Sequence, residues 1–524
     1  MKQRHIGMVA AAAGLLSTAA AAVQVQVQCQ NQVVDGVTVC AVDMSSYATD
    51  PVNGQPVCPA GVTSTGSSLI CEESFAAAVH DAVVYFKQNT TGPKTYYIAI
   101  DPGSYDFSSE THLHGEKGAI EVSNIAPQGN GCLTPDSSTT GTVALLGDGC
   151  LVISGTSSAA TTLVVPNSVP TIHGIGSSHV MIANLTMQQA LIATTQGTFV
   201  SSGSHEFGGV AFPTVTLDIS PGFPSPLDLF ILNCGGTPPN ACTRHGIVAA
   251  SDDIYMRAYT NEATPQLIPS VSKKDLNAQF PFGFPSVGHK RIAVVPPFQP
   301  DPTNYPNRWE ITVSVPHALP SAYSGTTNGV ANLVCMKVDH ADAFWFGGAG
   351  GGTDIIMSGM NWIGASRGEF RRISASAESG TPGAQVYNSS ISRAAPINGQ
   401  VPCLASQSGG MQFGQPGDPP IYGNIVYGLQ AEATGDDAIA MFNDVGGQPD
   451  GNGGTYPQTV IRNSALGNAF ARDIYLYNDK HFSHFPGNSP VLVDDATQNY
   501  INAYGNCDPI VVGDGNCPVT YQSN

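Results

Sequence analysis

The run Glu432-Ala433-Thr434-Gly435-Asp436-Asp437-Ala438-Ile439-Ala440 sets two adjacent carboxylates between two structured stretches. Before it lies an extended, Asn- and Gly-punctuated segment, Ile421 to Gly428, and after it an apolar run, Ala438 to Phe442. Adjacent aspartates are poor strand formers and are seldom buried without partners, so a pair in this place has either a partner or a task. Two neighbouring carboxylates suit acid–base chemistry, as at a glycosidic bond, where one group must hold a proton while another lacks it. A turn or a calcium site is the plain alternative.

Further polar residues join the pair if the surrounding segments stack as strands, because equivalent positions on neighbouring strands lie about 4.8 Å apart. Anchoring successive segments on Gly359, Asn424 and Asn463 brings Glu369, the Asp436-Asp437 pair and Arg472-Asp473 to similar distances beyond the anchor. With Gln412 from the intervening segment, these residues predict a polar column on one face, flanked by Arg367, Arg371 and Arg372. Like charges one strand apart cannot all ionise cheaply, so one carboxyl is driven to keep its proton. Asp437 or Asp436 is then the expected acid. Its neighbour, Glu369 and Asp473 are the candidates for the base, kept ionised by Arg472 or by a water network. An inverting pair needs carboxyls about 6.5–9.5 Å apart, a span that adjacent or next-but-one strands provide. For Glu369 with Arg372, and for Arg472-Asp473, a solvated ion pair is the bland reading. Of the nearby aromatic residues, Trp345, Tyr427, Tyr475 and Tyr477 offer flat apolar area to a sugar ring, whereas Trp362 sits in an apolar run and reads as core.

The elements that must hold this column are short strands. Val180 to Met187, Ile355 to Trp362, Val386 to Ile391 and Val460 to Leu466 share one texture: apolar residues, then a small residue or Asn, then apolar residues again. Regular rungs with irregular loops fit a right-handed parallel β-helix, in which a stacked Asn at the turn would form a ladder of amide hydrogen bonds. Upstream, Phe75, Ala78, Val79, Ala82, Val83 and Phe86 recur at helical spacing behind Ser74 as the expected N-cap. Such a helix would cap the open end of the stack. Between about residues 188 and 337 the texture changes to cleanly alternating stretches, Val215 to Ile219 and Glu310 to Val315, separated by Pro-rich sequence. This predicts a β-barrel-like insertion. The expected organisation is therefore a signal peptide (1–22), a cap with the first coils (23–187), the insertion (188–337) and the remaining coils with the groove (338–524), in an all-β chain.

Composition narrows the function classes. Lys2 and Arg4 followed by an Ala-rich apolar run to Ala22 read as a secretory signal, so a secreted or periplasmic protein is expected, without membrane insertion. The 12 cysteines all follow that run. An even number in an oxidising compartment favours disulfides. Close neighbours suggest Cys29–Cys40, Cys58–Cys71, Cys132–Cys150, Cys234–Cys242 and Cys507–Cys517, leaving Cys335 and Cys403 to bridge coils. No Cys-x-x-Cys pair is present, which argues against zinc. With 58 Gly, 38 Pro and 11% charged residues, long helices are disfavoured. A formal net charge of −19 excludes a phosphate-tracking surface, so nucleic acid is not an expected partner.

The order of cap helix, "IDPGSY", "SSHVMIANLTM", "TQGTF" with "TVTLDI", then "TDIIMSGMNW" and "EATGDDAIA" resembles the secreted β-helix glycoside hydrolases that carry a β-barrel insertion. It is most similar to the α-1,3-galactosidase group (family 110) and more distantly to polygalacturonases. That resemblance implies an inverting hydrolase of α-linked galactose or a related sugar in a polysaccharide or oligosaccharide. Asp436 and Asp437 match the family's catalytic pair, and Glu432 matches the acidic residue just before it. The family's third aspartate has no counterpart, since the corresponding coil reads Ser408-Gly409-Gly410-Met411-Gln412-Phe413. The expected substrate contacts are Gln412, Glu432, Arg472, Tyr475 and Arg372. No cofactor is called for. Calcium enters through the second enzyme class, a polysaccharide lyase, in which Asp436, Asp437 and Asp473 would hold the ion. A non-catalytic glycan-binding coil is the third reading.

Overall fold

The computed structural model describes most of residues 29–469 together with 474–477 and 491–492. Residues 1–28, 109–117, 134–145, 234–253, 269–297, 313–323, 478–490, 493–524 and some shorter segments lie outside the description, and with them the expected signal peptide. The chain is all-β in character, with helices only at Glu72–Gln88 and Pro226–Asn233 and a 3-10 turn at Met44–Tyr47 among the described residues.

Three sheets organise the chain. After Tyr96–Ile100 in the first sheet come Gly103–Asp106 in the second and Ile120–Glu121 in the third. The same cycle then repeats until the third sheet holds seven strands. Each strand pairs in parallel with its equivalents in the cycles before and after. Among the described residues, only the hairpin Gln30–Val34 with Val37–Asp43, and Thr63–Ser64 against Gly103–Asp106, pair antiparallel in these sheets. Alternating residues enter one continuous core, including Ile153, Ile182, Met357, Val386 and Val426 from the first sheet and Leu163, Met187, Trp362 and Ile391 from the second. On the third sheet the inward residues are aromatic: Phe370 stacks on Phe413 at 5.2 Å and on Phe346 at 6.3 Å. Gly368 is required there, because a Cβ would meet the Phe344 ring at 2.1 Å.

The corner between the first and second sheets turns on one residue. Asn184, Gly359, Asn388, Gly428 and Asn463 follow register-equivalent strand ends, and all have φ between 43° and 69°. Asn and Gly are the residues that tolerate this left-handed conformation. The expected amide ladder is not what places Asn here. Its residues alternate with glycine, and the side chains of Asn184 and Asn388 occupy the space that a Cβ at Gly359 and Gly428 would need, at 2.7 and 2.6 Å.

The N-terminal helix begins at Glu72 behind Cys71, not behind Ser74. Ser74 is buried within the first turn and its hydroxyl donates to the Tyr47 carbonyl at 3.1 Å. Glu72 and Glu73 in that turn favourably oppose the helix dipole. Phe75, Ala78, Val79 and Ala82 join the core against strands of the first cycle, including Tyr96 and Ile120.

Among the described residues, the segment inserted between the second-sheet strand Thr186–Gln189 and the third-sheet strand Phe344–Gly347 forms no closed barrel. Five of its described strands form an open antiparallel sheet, Ile254–Tyr259, Leu333–Val338, Thr194–Phe207, Val210–Ile219 and Arg308–Thr312 in spatial order, and Thr326–Thr327 pairs with Val330–Ala331 in a separate hairpin. Long two-residue alternation supports either architecture, and the sequence alone does not say whether the edges meet. Val215, Leu217, Trp309, Ile311, Val334 and Met336 form its own core.

Four disulfides join Cys29–Cys40, Cys58–Cys71, Cys132–Cys150 and Cys335–Cys403. The cysteines at 234, 242, 507 and 517 lie outside the described residues. Cys335 lies in the antiparallel sheet, so its bond to Cys403 ties the insertion to the coils and does not bridge two coils as expected. Closing 68 residues should restrict the unfolded chain by about 4 kcal/mol. The Cys335→Ser/Cys403→Ser double variant is therefore expected to lose about 2–4 kcal/mol. Chemical unfolding followed by tryptophan fluorescence checks this, and an unchanged midpoint would contradict it.

Candidate active site

The third sheet presents one register-aligned row to the outside. Its positions are Glu121, His173, Trp345, Glu369, Gln412, Ala440 and, by backbone pairing, Tyr475. The residues flanking these positions, among them Ile172, Phe344, Phe370, Phe413, Ile439 and Met441, are in the core. Strand alternation therefore directs the row outward.

Glu369 is the electrostatic centre of the row. Its carboxylate is only 3% exposed, accepts a hydrogen bond from Gln412 Nε2 at 3.2 Å, and faces Arg367 Nη2 at 3.6 Å and Arg371 Nε at 3.7 Å. A buried carboxylate demands such partners, and two guanidiniums with a carboxamide N–H all favour its charged form. Gln412 Nε2 also donates to the Gly414 carbonyl at 3.0 Å, which fixes its amide. Arg371 is shared: its Nε and Nη2 make a two-pronged contact with Asp418, both at 3.0 Å. Burial works against the Asp418 charge, yet the hydrogen bonds and charges of Arg371 and Arg372 prevail and hold its carboxyl below the usual carboxylate range.

On the other side of Glu369 lies an aromatic platform. Trp345 is half-buried and stacks on His173 with ring centroids 4.9 Å apart and 17° between planes. His173 Nδ1 in turn lies 2.8 Å from Glu121 Oε2. Gly347 makes this possible, since a Cβ there would lie 3.0 Å from both the indole and Arg371 Cβ.

The Asp436-Asp437 pair sits in the turn entering the strand Ile439–Phe442, two strands beyond Glu369. The Asp437 carbonyl accepts from Gly410 N at 2.8 Å, and the Asp436 carbonyl accepts from Thr434 Oγ1 at 3.0 Å. Asp437 is buried and Asp436 is half-exposed. A Cβ built on Gly409 would lie 3.6 Å from Arg367 Cβ and 3.8 Å from Asp436 Cβ. Asp436 and Arg367 therefore approach each other across a glycine, and Arg367 links the pair's neighbourhood to Glu369.

The register differs from the one expected. Gly359 and Asn463 are equivalent to Gly428, not to Asn424, which lies four residues earlier and before its strand. The row position of the Asp436-Asp437 coil is consequently Ala440, and the pair lies at the entrance to the row. Glu369 and Gln412 share the row and touch. Tyr475 occupies a row position by register. Arg472 and Asp473 lie outside the described residues.

Glu432 is elsewhere: on the second sheet, its Oε1 accepts from Asn468 Nδ2 at 3.1 Å and Gln266 Nε2 at 3.5 Å, with Arg393 Nη1 at 3.7 Å. It braces the insertion against the coils. Arg372, with φ of 57°, bonds Asp418 at 3.3 Å, so it is Arg371 that reaches Glu369. Trp362 is core and Tyr427 lies on the first sheet beside Tyr387.

Glu121, His173 and Asp418 were missed. A lone His in Ile172-His173-Gly174-Ile175 carries no signal until its strand is paired with Phe344–Gly347, which follows the whole insertion. A second carboxylate–imidazole contact, Asp354 with His179 at 2.8 Å, differs in kind. Asp354 is fully enclosed by Cys132 N and Gln385 Nε2 as well, and braces the disulfide-closed loop. Among the described residues, no three His, Cys, Asp or Glu side chains converge as metal ligands. No helix among them is long and apolar enough to cross a membrane.

No protein-family model and no curated protein matches the chain. Among solved structures, the Agl-KA catalytic domain is similar with a TM-score of 0.31 and 9% identity, over 89% of this chain and 48% of that one. The chain thus spans about half of that structure's length. The A-module of the Azotobacter vinelandii mannuronan C-5 epimerase AlgE4 is similar with a TM-score of 0.26 and 8% identity, over 86% of this chain and 81% of that one. Neither likeness is close enough to define a common fold.

Proposed function

We propose that the chain is an exported glycoside hydrolase that cleaves α-linked galactose or a related neutral sugar from a polysaccharide, with inversion. The cyclic strand order and parallel register support reading its coils as a right-handed parallel β-helix carrying the 188–337 insertion. The observation that carries the function is the outward row Trp345-Glu369-Gln412 with the Asp436-Asp437 pair two strands on. Two strand spacings set the pair's coil about 9.6 Å across the sheet from Glu369, and the pair's place ahead of Ala440 adds to that separation.

In this reading one carboxyl of the Asp436-Asp437 pair gives its proton to the glycosidic oxygen as the C1–O bond breaks. Glu369, ionised between Arg367 and Arg371, takes a proton from the water whose oxygen forms the new bond to C1. Its near-complete burial suits a base that meets one positioned water and not bulk solvent. Trp345 supplies a flat apolar face for a sugar ring. Gln412 fixes the base through its hydrogen bond. No cofactor takes part.

The test is sugar release from galactosylated polysaccharides by the wild type, Asp436→Asn and Asp437→Asn. A fall of about 10²–10⁴-fold in at least one variant, with the product anomer inverted in the wild type, is the expected result. Undiminished turnover in both variants, or an unsaturated product absorbing in the ultraviolet, would remove the assignment.

A further inference from the structure

The inserted sheet holds a cleft of about 370 Å³ that none of the hydrolytic chemistry uses. Its walls include Thr198, Asn304, Tyr305, Asn307 and Arg308 from the insertion and Gln400 from a loop of the coils. That volume falls within the range of small-ligand sites.

Tyr305 is 47% exposed, an unusual position for a large aromatic residue, and its ring is held from behind. The Arg308 guanidinium lies 3.8 Å from the ring centroid, a cation–π contact. Arg308 is itself fixed by a two-pronged contact to Asp218, Nε to Oδ1 and Nη2 to Oδ2, both at 2.8 Å. The loop is braced from below as well, with Tyr305 N donating to Asp301 O at 2.9 Å and Asn304 N to Asp301 Oδ1 at 3.1 Å. The ring is therefore presented in one orientation before any ligand arrives, which reduces the ordering cost of binding.

We infer that this cleft is a second, non-catalytic binding site for a neutral saccharide, with Tyr305 as its stacking platform. The ligand class follows from the lining. An aromatic face matches the apolar face of a sugar ring. Planar amides at Asn304, Asn307 and Gln400 and the Thr198 hydroxyl match its hydroxyl groups. The one cation is already neutralised by Asp218, so nothing in the wall selects an anionic uronate. The choice of a saccharide rests on the hydrolase reading above, and a site outside the row would hold the polymer near the catalytic groups by raising its effective concentration.

Affinity electrophoresis in gels containing neutral galactomannan, arabinogalactan or xyloglucan, or anionic polygalacturonate, tests this. The proteins are the full-length wild type, Tyr305→Ala, Tyr305→Phe and Asp437→Asn, each checked for folding by thermal melting. At least one neutral gel should retard the wild type and Asp437→Asn alike. Tyr305→Ala should weaken that binding about tenfold or more, while Tyr305→Phe, which keeps the ring, should bind within about twofold. Absence of retardation in every neutral gel, retardation by polygalacturonate alone, or wild-type retardation of Tyr305→Ala would overturn the inference. Tyr305-dependent retardation without sugar release would sink the hydrolase reading and leave the cleft. Sugar release with unaltered migration of Tyr305→Ala would do the reverse.

Discussion

Replacing Glu369 by Gln is expected to cut sugar release about a thousandfold while the chain stays folded. The substitution keeps volume and planarity, so Trp345 and Gln412 retain their neighbour, but it removes the negative charge that Arg367 and Arg371 face. A neutral amide cannot take a proton from water. An anionic nucleophile that needs no deprotonation, such as azide, should then restore turnover in part and yield the inverted glycosyl azide. If Glu369 were only an ion-pair brace, azide would not help and kcat would fall no further than the loss of stability explains. Kinetics with and without azide, read beside a thermal melt, separate the two outcomes.

The second large effect concerns stability. Asp418→Asn is expected to destabilise the fold by about 2–4 kcal/mol, because removing one partner of a buried pair leaves the others uncompensated. The full penalty is reduced because Arg371 and Arg372 are each about a third exposed. Burial opposes the Asp418 charge, but its contacts with the two arginines overcome burial and place its folded pKa below the ordinary value. As pH falls, the unfolded chain therefore binds the proton first. The stabilisation is complete above about pH 4, the ordinary Asp value, and is lost as pH falls through the lower folded value. Wild type and variant should differ most near neutrality and converge in acid. Chemical unfolding midpoints measured from pH 7 down to pH 3 check this, and a constant difference across that range would refute it. Because Arg371 contacts both Asp418 and Glu369, the variant should also lose activity at temperatures where it remains folded.

Much of the scaffold was legible from local rules. Phe75 to Phe86 repeat at helical spacing and form the helix. The short apolar runs at 180–187, 355–362 and 460–466 became strand pairs turning at one Asn or Gly, because few other residues accept the left-handed corner. Cys29–Cys40, Cys58–Cys71 and Cys132–Cys150 are local enough for spacing to reveal them. The four-residue slip between Asn424 and Gly428 had a physical origin too. Both are residues that can end a segment, and only pairing with Tyr387 and Arg462 identifies the one that turns the corner.

From composition and pattern alone came the strand-rich character, the cap helix, the nearby cysteine pairs and the presence of Glu369, Gln412 and the aspartate pair among the polar residues of the later coils. Tertiary structure decided which of them meet. It joined His173 and Trp345, which are separated in sequence by the entire insertion, arranged the described strands of the expected barrel-like insertion as an open sheet, and made Glu432, an expected substrate contact, a brace on another face. The reason is that a strand's side-chain directions are set locally, by its two-residue alternation, whereas its neighbours are set by which distant strand supplies the hydrogen bonds on either side. Local alternation is written in adjacent residues, and lateral pairing is not.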